Sequence, residues 1–195
     1  DALQTPMQRI IASQTNRDGR VGDLDALYEH CLRAVKKGTT SGVHGLPLIG
    51  TGDWNDGMNR VGHGGRGESV WLGWFLHATL TRFSSLCMVV KEDPEPYRQQ
   101  AAHLAQALDL YAWDGDWYLR AFYDDGSRLG SGENNECRID SIAQSWAVLS
   151  RAADPARAEQ AMESVNRLLV REVDQLILLL TPPFDKTQHD PGYIQ

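Results

Sequence analysis

The sequence predicts an all-α fold in which helices alternate with long, glycine-rich loops. Apolar residues recur at three- and four-residue steps in several segments, which is the periodicity of amphipathic helices. Eleven of the 18 glycines fall between residues 38 and 73. No regular alternation of strands and helices, of the kind that builds a parallel sheet, is visible. With 195 residues, 42% of them apolar, the chain can bury a core, and we expect residues 1–195 to form one domain.

The first predicted element is an amphipathic helix over residues 24–36, which Asp23 can cap. Its apolar positions are Leu24, Leu27, Tyr28, Cys31 and Val35. The glycine-rich residues 38–73 follow it. Glycine weakens a folded backbone unless a positive φ or a close approach requires it, and long ordered loops in compact domains usually carry function. We therefore expect a long loop that has a defined backbone conformation and carries function.

A mostly apolar helix is predicted over residues 69–91. The apolar residues 70–90 are about as long as a membrane-spanning helix, but His77 and Arg82 lie within them, and charged residues are costly in mid-membrane. A helix buried on most sides in a larger helical protein fits better. After the break at Asp93 and Pro94, a second amphipathic helix carries Tyr97, Ala101, Leu104, Leu108 and Tyr111.

The second half of the chain predicts a short hairpin and two more helices. Residues 116–123 alternate between apolar and polar before an Asp-Gly turn at residues 125–126, which indicates a hairpin arm. Residues 139–151 show helical periodicity. Asp154 and Pro155 form a cap followed by an N1 proline, and the helix that they begin carries Met162, Val165, Leu168 and Leu169.

Composition excludes several classes of function. The formal charge of −7 argues against non-specific binding of nucleic acid, which needs clustered Lys and Arg. The three cysteines are widely spaced and form no CxxC pair, and their odd number suits a reducing compartment better than a disulfide framework. The histidines form no HxH or HExxH pattern, so we expect no zinc site, and no GxSxG motif supports nucleophilic catalysis. The first nine residues lack a signal-peptide pattern.

The densest cluster of chemically capable side chains lies in residues 50–59, which read GTGDWNDGMN. Trp54 could stack on the face of a sugar ring, while Asp53, Asn55 and Asp56 could bind its hydroxyls. A protonated Asp can also donate to a glycosidic oxygen. The same residues are compatible with an Asx-rich turn around a buried Trp. An Asp-x-x-Asp metal site is a third alternative, although the spacing matches no EF-hand loop.

Two further motifs have both a structural and a functional interpretation. Residues 62–67 fit the spacing GxGxxG, but they lack the preceding strand and the later acidic residue of a dinucleotide site. They could instead cradle an anion with backbone N–H groups, or simply pack. The acidic residues Glu133, Glu136 and Asp140 precede a predicted helix, which the helix dipole alone favours. The neighbouring Asn134 and Asn135 are suitable partners for hydroxyl groups.

Three blocks of sequence resemble glycoside hydrolase family 94. They are residues 44–76, which include GTGDWNDGMN, residues 138–146 (RIDSIAQSW) and residues 179–186 (LLTPPFDK). This family contains inverting phosphorylases of β-linked glucosides and the phosphorylase-like domain of cyclic β-1,2-glucan synthases. The TPPFDK run and residues 190–194 look more like the synthase and β-1,2-oligoglucan branch. The resemblance extends from about Leu27 to the last residue.

The resemblance implies an (α/α)6 barrel, of which this chain would hold about half, as a fragment. By position, Asp56 matches the family's general acid and Trp54 a sugar-contacting Trp. Glu133 and Glu136 match the region that lines the leaving-group subsite in the family. Gln144 matches the position of a Gln that contacts the donor glucose. Inorganic phosphate would be a co-substrate, with no metal and no other cofactor. The family's upstream Arg and Asp that grip the glucose are not in this sequence, and the phosphate ligands are not assigned.

The implied activity is inverting phosphorolysis or transfer on β-linked glucans, with β-1,2-glucan favoured and α-glucose 1-phosphate as product. The alternatives are a non-catalytic carbohydrate-binding domain and a structural helical domain of a larger glucan synthase. The expected partners are a β-glucan oligosaccharide, phosphate and the rest of a parent polypeptide. We expect a cytoplasmic location, either free or as a domain of an inner-membrane synthase, without insertion into the membrane. We also expect Asp53, Trp54 and Asp56 beside Glu136 at one end of the helices, and exposed apolar surface that leads to self-association.

Overall fold

The computed structural model describes residues 22–194, with side chains from residue 27 onward. The chain divides into two compact units, residues 1–39 and residues 40–195. The described part of the first unit contains helix α1, Gly22–Gly38, which confirms the predicted helix. Because the helix begins at Gly22, Asp23 lies inside it, and the prediction that Asp23 caps it was wrong. Glu29 and Arg33 form an ion pair one turn apart, with the Arg33 Nε 2.9 Å from the Glu29 Oε1. Lys36 and Lys37 lie in the last turn, where the helix dipole favours positive charge.

The second unit contains two helical hairpins. Helix α2, Val70–Val90, packs against helix α3, Glu95–Tyr111, and helix α4, Ser141–Ser150, packs against helix α5, Pro155–Leu169. The apolar helices α2 and α4 also pack against each other and so lie at the centre. Among residues 22–194, no helix is long and apolar enough to cross a membrane.

Side-chain caps set where these helices begin. The Ser69 hydroxyl accepts a hydrogen bond from the Leu72 N–H at 3.0 Å at the start of α2. Asp140 accepts from the Ile142 N–H at 2.8 Å at the start of α4. Asp154 caps α5 with Pro155 in its first turn, as the sequence predicted. Such caps satisfy N–H groups that the helix leaves without partners.

Short antiparallel strands connect the helices. The predicted all-α fold included only one short hairpin, so most of these strands were not expected. Strands β1 (Glu68–Ser69), β2 (Ala121–Phe122) and β3 (Arg128–Leu129) form one sheet in the order β1-β2-β3. Strand β4 (Ile139–Asp140) pairs with β7 (Leu180–Thr181), and β5 (Val170–Arg171) with β6 (Leu176–Ile177). The turn between β2 and β3 includes Asp125 and Gly126, which confirms the predicted hairpin turn, while the strand covers only Ala121–Phe122 of the arm expected over residues 116–123. The helix predicted over residues 139–151 begins only at Ser141, because β4 occupies its first two positions.

The core has two parts. The main cluster fills the space between the helices around Trp74, Leu108, Tyr118, Ile139 and Leu169. A second cluster lies under the glycine-rich loop and contains Ile49, Met58, Val61, Ala121, Tyr123, Leu129 and Cys137. The second cluster gives this loop a core of its own, so the loop is a packed part of the fold. The helix-rich architecture is compatible with part of an (α/α)6 barrel, and that barrel stays a prediction.

Candidate active site

Hydrogen bonds from side chains to the backbone shape the loop over residues 50–59. The Asp53 Oδ1 accepts from the Asn55 N–H at 3.0 Å. The Asn55 Oδ1 accepts from the Gly57 N–H at 3.0 Å and caps the 3-10 helix Asp56–Met58. These are Asx turns, in which short polar side chains replace a regular ladder of backbone hydrogen bonds. The loop therefore combines the predicted Asx-rich turn with side chains that can meet a ligand.

Asp53 is not a surface residue, because its carboxylate is held inside the protein by Arg120. The Arg120 Nη1 lies 2.7 Å from the Asp53 Oδ2, and the Arg120 Nη2 lies 2.6 Å from the Asp53 Oδ1. Both side chains are fully buried. The Ser69 hydroxyl donates to the Asp53 Oδ2 at 2.5 Å. Asp53 thus ties the loop to strand β1 and to the chain just before β2.

Arg120 also faces a second carboxylate. The Arg120 Nε lies 3.4 Å from the Oδ2 of Asp140, the residue that caps α4. Because Ser69 caps α2 and lies beside Asp53, the first turns of α2 and α4 meet at one buried ionic cluster. The loop over residues 50–59 and the segment before Asp140 therefore lie at the same end of these two helices.

The two carboxyl groups of this cluster have opposite pKa shifts. Burial acts to raise the pKa of Asp53, but the hydrogen bonds and charge of Arg120 outweigh it and the pKa is lowered. Burial raises the pKa of Asp140 against the opposing attraction of Arg120. Asp53 receives two guanidinium N–H groups, whereas Asp140 faces one at longer range, which explains the difference.

Trp54 and Asp56 point to the surface on either side of Asn55. The Trp54 side chain is 58% exposed, and Asp56 is exposed as well. They line a shallow groove of about 400 Å³ together with Asn55, Gly57, Leu179, Tyr193 and Ile194. Tyr193 is 69% exposed. Two exposed aromatic rings, a carboxylate and an amide therefore surround one groove, which is a suitable surface for a sugar ring with its rim of hydroxyls.

Residues 193–194 line one side of this groove, and the segment over residues 191–194 is hydrogen-bonded to the loop. The Ile194 N–H donates to the Gly57 carbonyl at 3.0 Å, and the Arg60 N–H donates to the Pro191 carbonyl at 3.3 Å. A Cβ atom at position 57 would lie 2.9 Å from the Ile194 Cβ, so only glycine allows this approach. Sequence reasoning missed Tyr193 as a candidate site residue, since its only signal was its place in a block that resembled the family.

Glu136 lies at the same end of the helices but in a different cavity from Asp56. Its carboxylate accepts from the Lys186 N–H at 2.7 Å and from the Asp185 N–H at 3.0 Å, and these bonds lower its pKa. Glu133 and Glu136 line a cavity of about 320 Å³ with Tyr123, Arg128, Lys186 and His189 among others. The structure does not bring Glu136 and Asp56 into one groove, and Glu136 acts locally as a clamp on residues 185–186.

Gln144 departs most clearly from the expected role. Its side chain is 0% exposed. The Gln144 Oε1 accepts from the Tyr118 N–H, and the Gln144 Nε2 donates to the carbonyls of Tyr118 and Asp140, at 2.8 to 3.0 Å. A buried amide with these partners satisfies backbone groups of the core. The structure therefore gives Gln144 a structural position in place of the expected contact with donor glucose.

The glycine motif over residues 62–67 does cradle an anion, but the anion is a side chain of this protein. The Asp124 carboxylate accepts from the N–H groups of Gly64, Arg66 and Gly67 at 2.6 to 2.9 Å. The sequence left two alternatives open for this motif, anion binding by backbone N–H groups and simple packing. The structure shows the first, with Asp124 as an internal anion. Among residues 22–194, no group of three or more His, Cys, Asp or Glu side chains is arranged to hold a metal ion.

Comparison with known proteins gives consistent matches. A family model described as "Glycosyl hydrolase 94 superfamily, catalytic domain" matches residues 11–195. The chain is 49% identical over 178 residues to cyclic beta-(1,2)-glucan synthase NdvB of Rhizobium meliloti (strain 1021), covering 90% of this chain and 6% of that protein. It is 37% identical over 162 residues to a solabiose phosphorylase of Paenibacillus borealis, covering 81% of this chain and 21% of that protein. A cellobionic acid phosphorylase of Neurospora crassa is 32% identical over 176 residues, which cover 89% of this chain and 22% of the relative. The chain thus spans about a fifth or less of the length of these relatives.

Proposed function

Because the chain belongs to the catalytic-domain family of the glycosyl hydrolase 94 superfamily, we propose that it forms part of an enzyme that cleaves or transfers β-linked glucosyl units with phosphate. The chain would contribute the general acid and an aromatic sugar platform to a longer polypeptide. Similarity to a glucan synthase and to several phosphorylases supports carbohydrate phosphorylase or transferase chemistry. No metal and no further cofactor are part of this proposal.

One observation carries the proposal: the groove presents the exposed ring of Trp54 and the exposed carboxylate of Asp56 together. An indole covers the apolar face of a glucose ring, and amide and carboxylate groups bind its hydroxyls. Asp53, the other carboxylate of the motif, is engaged in the buried pair with Arg120. The geometry therefore favours Asp56 as the carboxyl group that can reach a substrate.

The proposed reaction needs one acid and a positioned nucleophile. Asp56 gives its proton to the glycosidic oxygen, so that the bond to the anomeric carbon breaks and the leaving sugar departs as an alcohol. A phosphate oxygen attacks the same carbon from the opposite face, which inverts the configuration and gives α-glucose 1-phosphate. An inverting hydrolase needs a second carboxylate to activate water. Phosphate is already an anion, so no such base is required.

We further propose a β-1,2-linked glucan as the substrate class. The support is the likeness of residues 181–186 and 190–194 to the β-1,2-glucan branch of the family, together with the 49% identity to a cyclic beta-(1,2)-glucan synthase. The longer enzyme would act in the cytoplasm or as a domain of an inner-membrane synthase. The rest of that polypeptide would supply the residues that bind the donor glucose and those that bind phosphate.

Replacement of Asp56 tests the assignment of the acid. In the longer enzyme, Asp56→Asn should lower kcat for phosphorolysis of a β-1,2-linked glucotriose by about 100-fold or more, with KM little changed, because positioned acid catalysis acts in the transition state. An activated aryl glucoside should recover part of the rate, since a good leaving group needs little protonation. The readout is the initial rate of glucose 1-phosphate release.

The matched control is Asp109→Asn, which removes an exposed carboxylate on α3 and should leave kcat and KM unchanged. A near wild-type kcat for Asp56→Asn would reject the acid assignment. If the wild-type enzyme releases no glucose 1-phosphate from a panel of β-linked glucosides, the proposed activity itself is wrong.

A second candidate is carbohydrate binding without turnover. It is favoured by one observation, namely that the Gln144 side chain is buried and engaged by backbone groups, so that the groove has sugar-binding side chains without the expected Gln contact to donor glucose. The same groove would then bind a β-glucan oligosaccharide while nothing is released. Quenching of Trp fluorescence by the sugar, without formation of glucose 1-phosphate, would favour this candidate.

A further inference from the structure

We propose that Arg120 is a positioning residue for the acid loop, the segment over residues 53–58. In this role Arg120 grips the Asp53 carboxylate at two points and thereby fixes where Trp54 and Asp56 stand relative to the starts of α2 and α4. The inference rests on the proposed function, because the benefit of this position is proton transfer from Asp56.

Each oxygen of the Asp53 carboxylate accepts two hydrogen bonds. The Asp53 Oδ1 accepts from the Arg120 Nη2 and from the Asn55 N–H. The Asp53 Oδ2 accepts from the Arg120 Nη1 and from the Ser69 hydroxyl. One oxygen thus links the guanidinium directly to the backbone that leads to Asp56. A shift of Arg120 would move the backbone at Asn55, and with it the 3-10 helix that Asp56 begins.

Arg120 itself is anchored on both sides of its backbone. Its N–H donates to the Leu129 carbonyl at 2.8 Å, and its carbonyl accepts from the Val70 N–H at 3.2 Å. A Cβ atom at position 130 would lie 2.6 Å from the Arg120 backbone nitrogen, so Gly130 lets the neighbouring strand approach this closely. The backbone that carries the guanidinium is therefore held between strand β3 and the first residue of α2, directly before strand β2.

Stability alone does not account for this arrangement. Arg120 is fully buried with two carboxylates, and removing charged groups from water is costly. Well-packed apolar side chains often replace such buried ion pairs without loss of stability. A planar guanidinium that holds a carboxylate at two points does, however, fix an orientation. Because a displacement of about 1 Å can lower a catalytic rate about 100-fold, orientation at this loop has a direct functional consequence.

The first test measures the loop without reference to activity. Arg120→Lys keeps the positive charge but loses the two-point contact. In this chain it should speed hydrogen exchange of the Asn55, Gly57 and Met58 amides at least about tenfold, while amides of α3 keep their rates. The control is Arg157→Lys, which changes an exposed pair with Asp109 and should leave the loop amides unchanged. Unaltered loop exchange in Arg120→Lys would overturn the proposal.

The second test is a double-mutant cycle in the longer enzyme with a β-1,2-linked glucotriose and inorganic phosphate. Arg120→Lys should lower kcat at least about tenfold with KM changed less than about threefold. In the Asp56→Asn background the same substitution should lower kcat less than about twofold, because there is no longer an acid to position. Equal losses in both backgrounds would mean a general structural role and would overturn the proposal.

A second variant covers the outcome in which Arg120→Lys does not fold. Asp53→Asn keeps the side-chain volume but weakens the two-point contact, and it should reproduce both the faster loop exchange and the non-additivity with Asp56→Asn. Circular dichroism identifies which variants are folded before they are compared. If Asp56→Asn retains wild-type turnover, the proposed function fails, and the exchange experiment alone then decides the role of Arg120.

Discussion

Three neighbouring residues of the acid loop have different environments. Asp53 is buried against Arg120, Trp54 is 58% exposed, and Asp56 lies at the groove. Their spacing places two carboxylates within one short segment, yet the two differ in environment. Asp53 is held by Arg120 inside the protein, while Asp56 and Trp54 line the groove. At the scale of single residues, three positions of one loop therefore differ in burial, and of these only Trp54 and Asp56 are exposed.

Trp54 should contribute binding affinity and little stability. Trp54→Ala should weaken binding of a β-1,2-linked glucotriose about tenfold, because stacking on an aromatic ring contributes roughly 1 kcal/mol beyond the area that it buries. The unfolding free energy should change little, since most of the ring is exposed. Calorimetric titration and thermal melting measure the two effects. Tyr111→Ala, which removes a partly exposed ring on α3, is the control, and unchanged affinity in Trp54→Ala would contradict the stacking role.

At the scale of elements, the structure joins segments that are distant in sequence through carboxylates bound to backbone N–H groups. Asp124, in the turn between β2 and β3, closes the glycine motif over residues 62–67. Glu136 holds residues 185–186 in the same way. These loops have few apolar side chains of their own, so hydrogen bonds from their N–H groups to carboxylates hold them in place.

The hydrogen bonds that Asp124 accepts from the glycine motif predict that the free energy of unfolding depends on pH. Burial acts to raise the pKa of Asp124, but N–H groups of Arg66, Gly64 and Gly67 outweigh it and lower the pKa. A carboxyl group whose pKa is lowered on folding stabilises the protein above its unfolded pKa of about 4, and this stability is lost as the pH falls through the folded pKa.

Asp124→Asn should therefore reduce the unfolding free energy by about 1–2 kcal/mol at pH 7, and the difference from the wild type should shrink below about pH 4. Urea unfolding at a series of pH values measures it. Asp174→Asn, at an exposed turn between β5 and β6, is the control. A difference that stays constant down to pH 2 would contradict the stabilising role of the ionised Asp124 carboxylate.

At the scale of the whole molecule, large apolar side chains remain exposed on residues 40–194. The most exposed include Val173 at 97%, Leu110 at 70%, Ile177 at 64% and Leu149 at 62%. Val173 lies in the turn of the β5–β6 hairpin and Ile177 lies in strand β6, so this hairpin exposes apolar side chains. Exposed apolar surface of this kind commonly marks a contact with another polypeptide or another part of the same one.

We therefore expect this chain by itself to self-associate. Its weight-average mass in sedimentation equilibrium should rise with concentration, and Ile177→Lys should reduce that rise, because a charge on an edge strand blocks edge pairing. Gln99→Lys adds the same charge to α3 and should have little effect. A monomer at every concentration would contradict the expectation.

The sequence by itself determined the helices, the Asp154 cap and the β2–β3 turn. These features depend on periodicity and on residues within a few positions of one another, as Asp154 and Pro155 show at the start of α5. Motif resemblance also identified the family, which the match over residues 11–195 confirmed. The assignment of Asp56 as the acid came from the same source and stays a prediction.

Only the tertiary structure decided which polar residues line a groove and which bind other groups inside the fold. Asp53 and Arg120 are 67 residues apart, so no local pattern could pair them. The same holds for Gln144, whose core position follows from backbone groups of Tyr118. Carboxylates and amides serve equally well as ligand contacts and as internal partners for N–H groups. Their role depends on burial and on what the folded chain brings within about 3 Å, and sequence spacing does not contain that information.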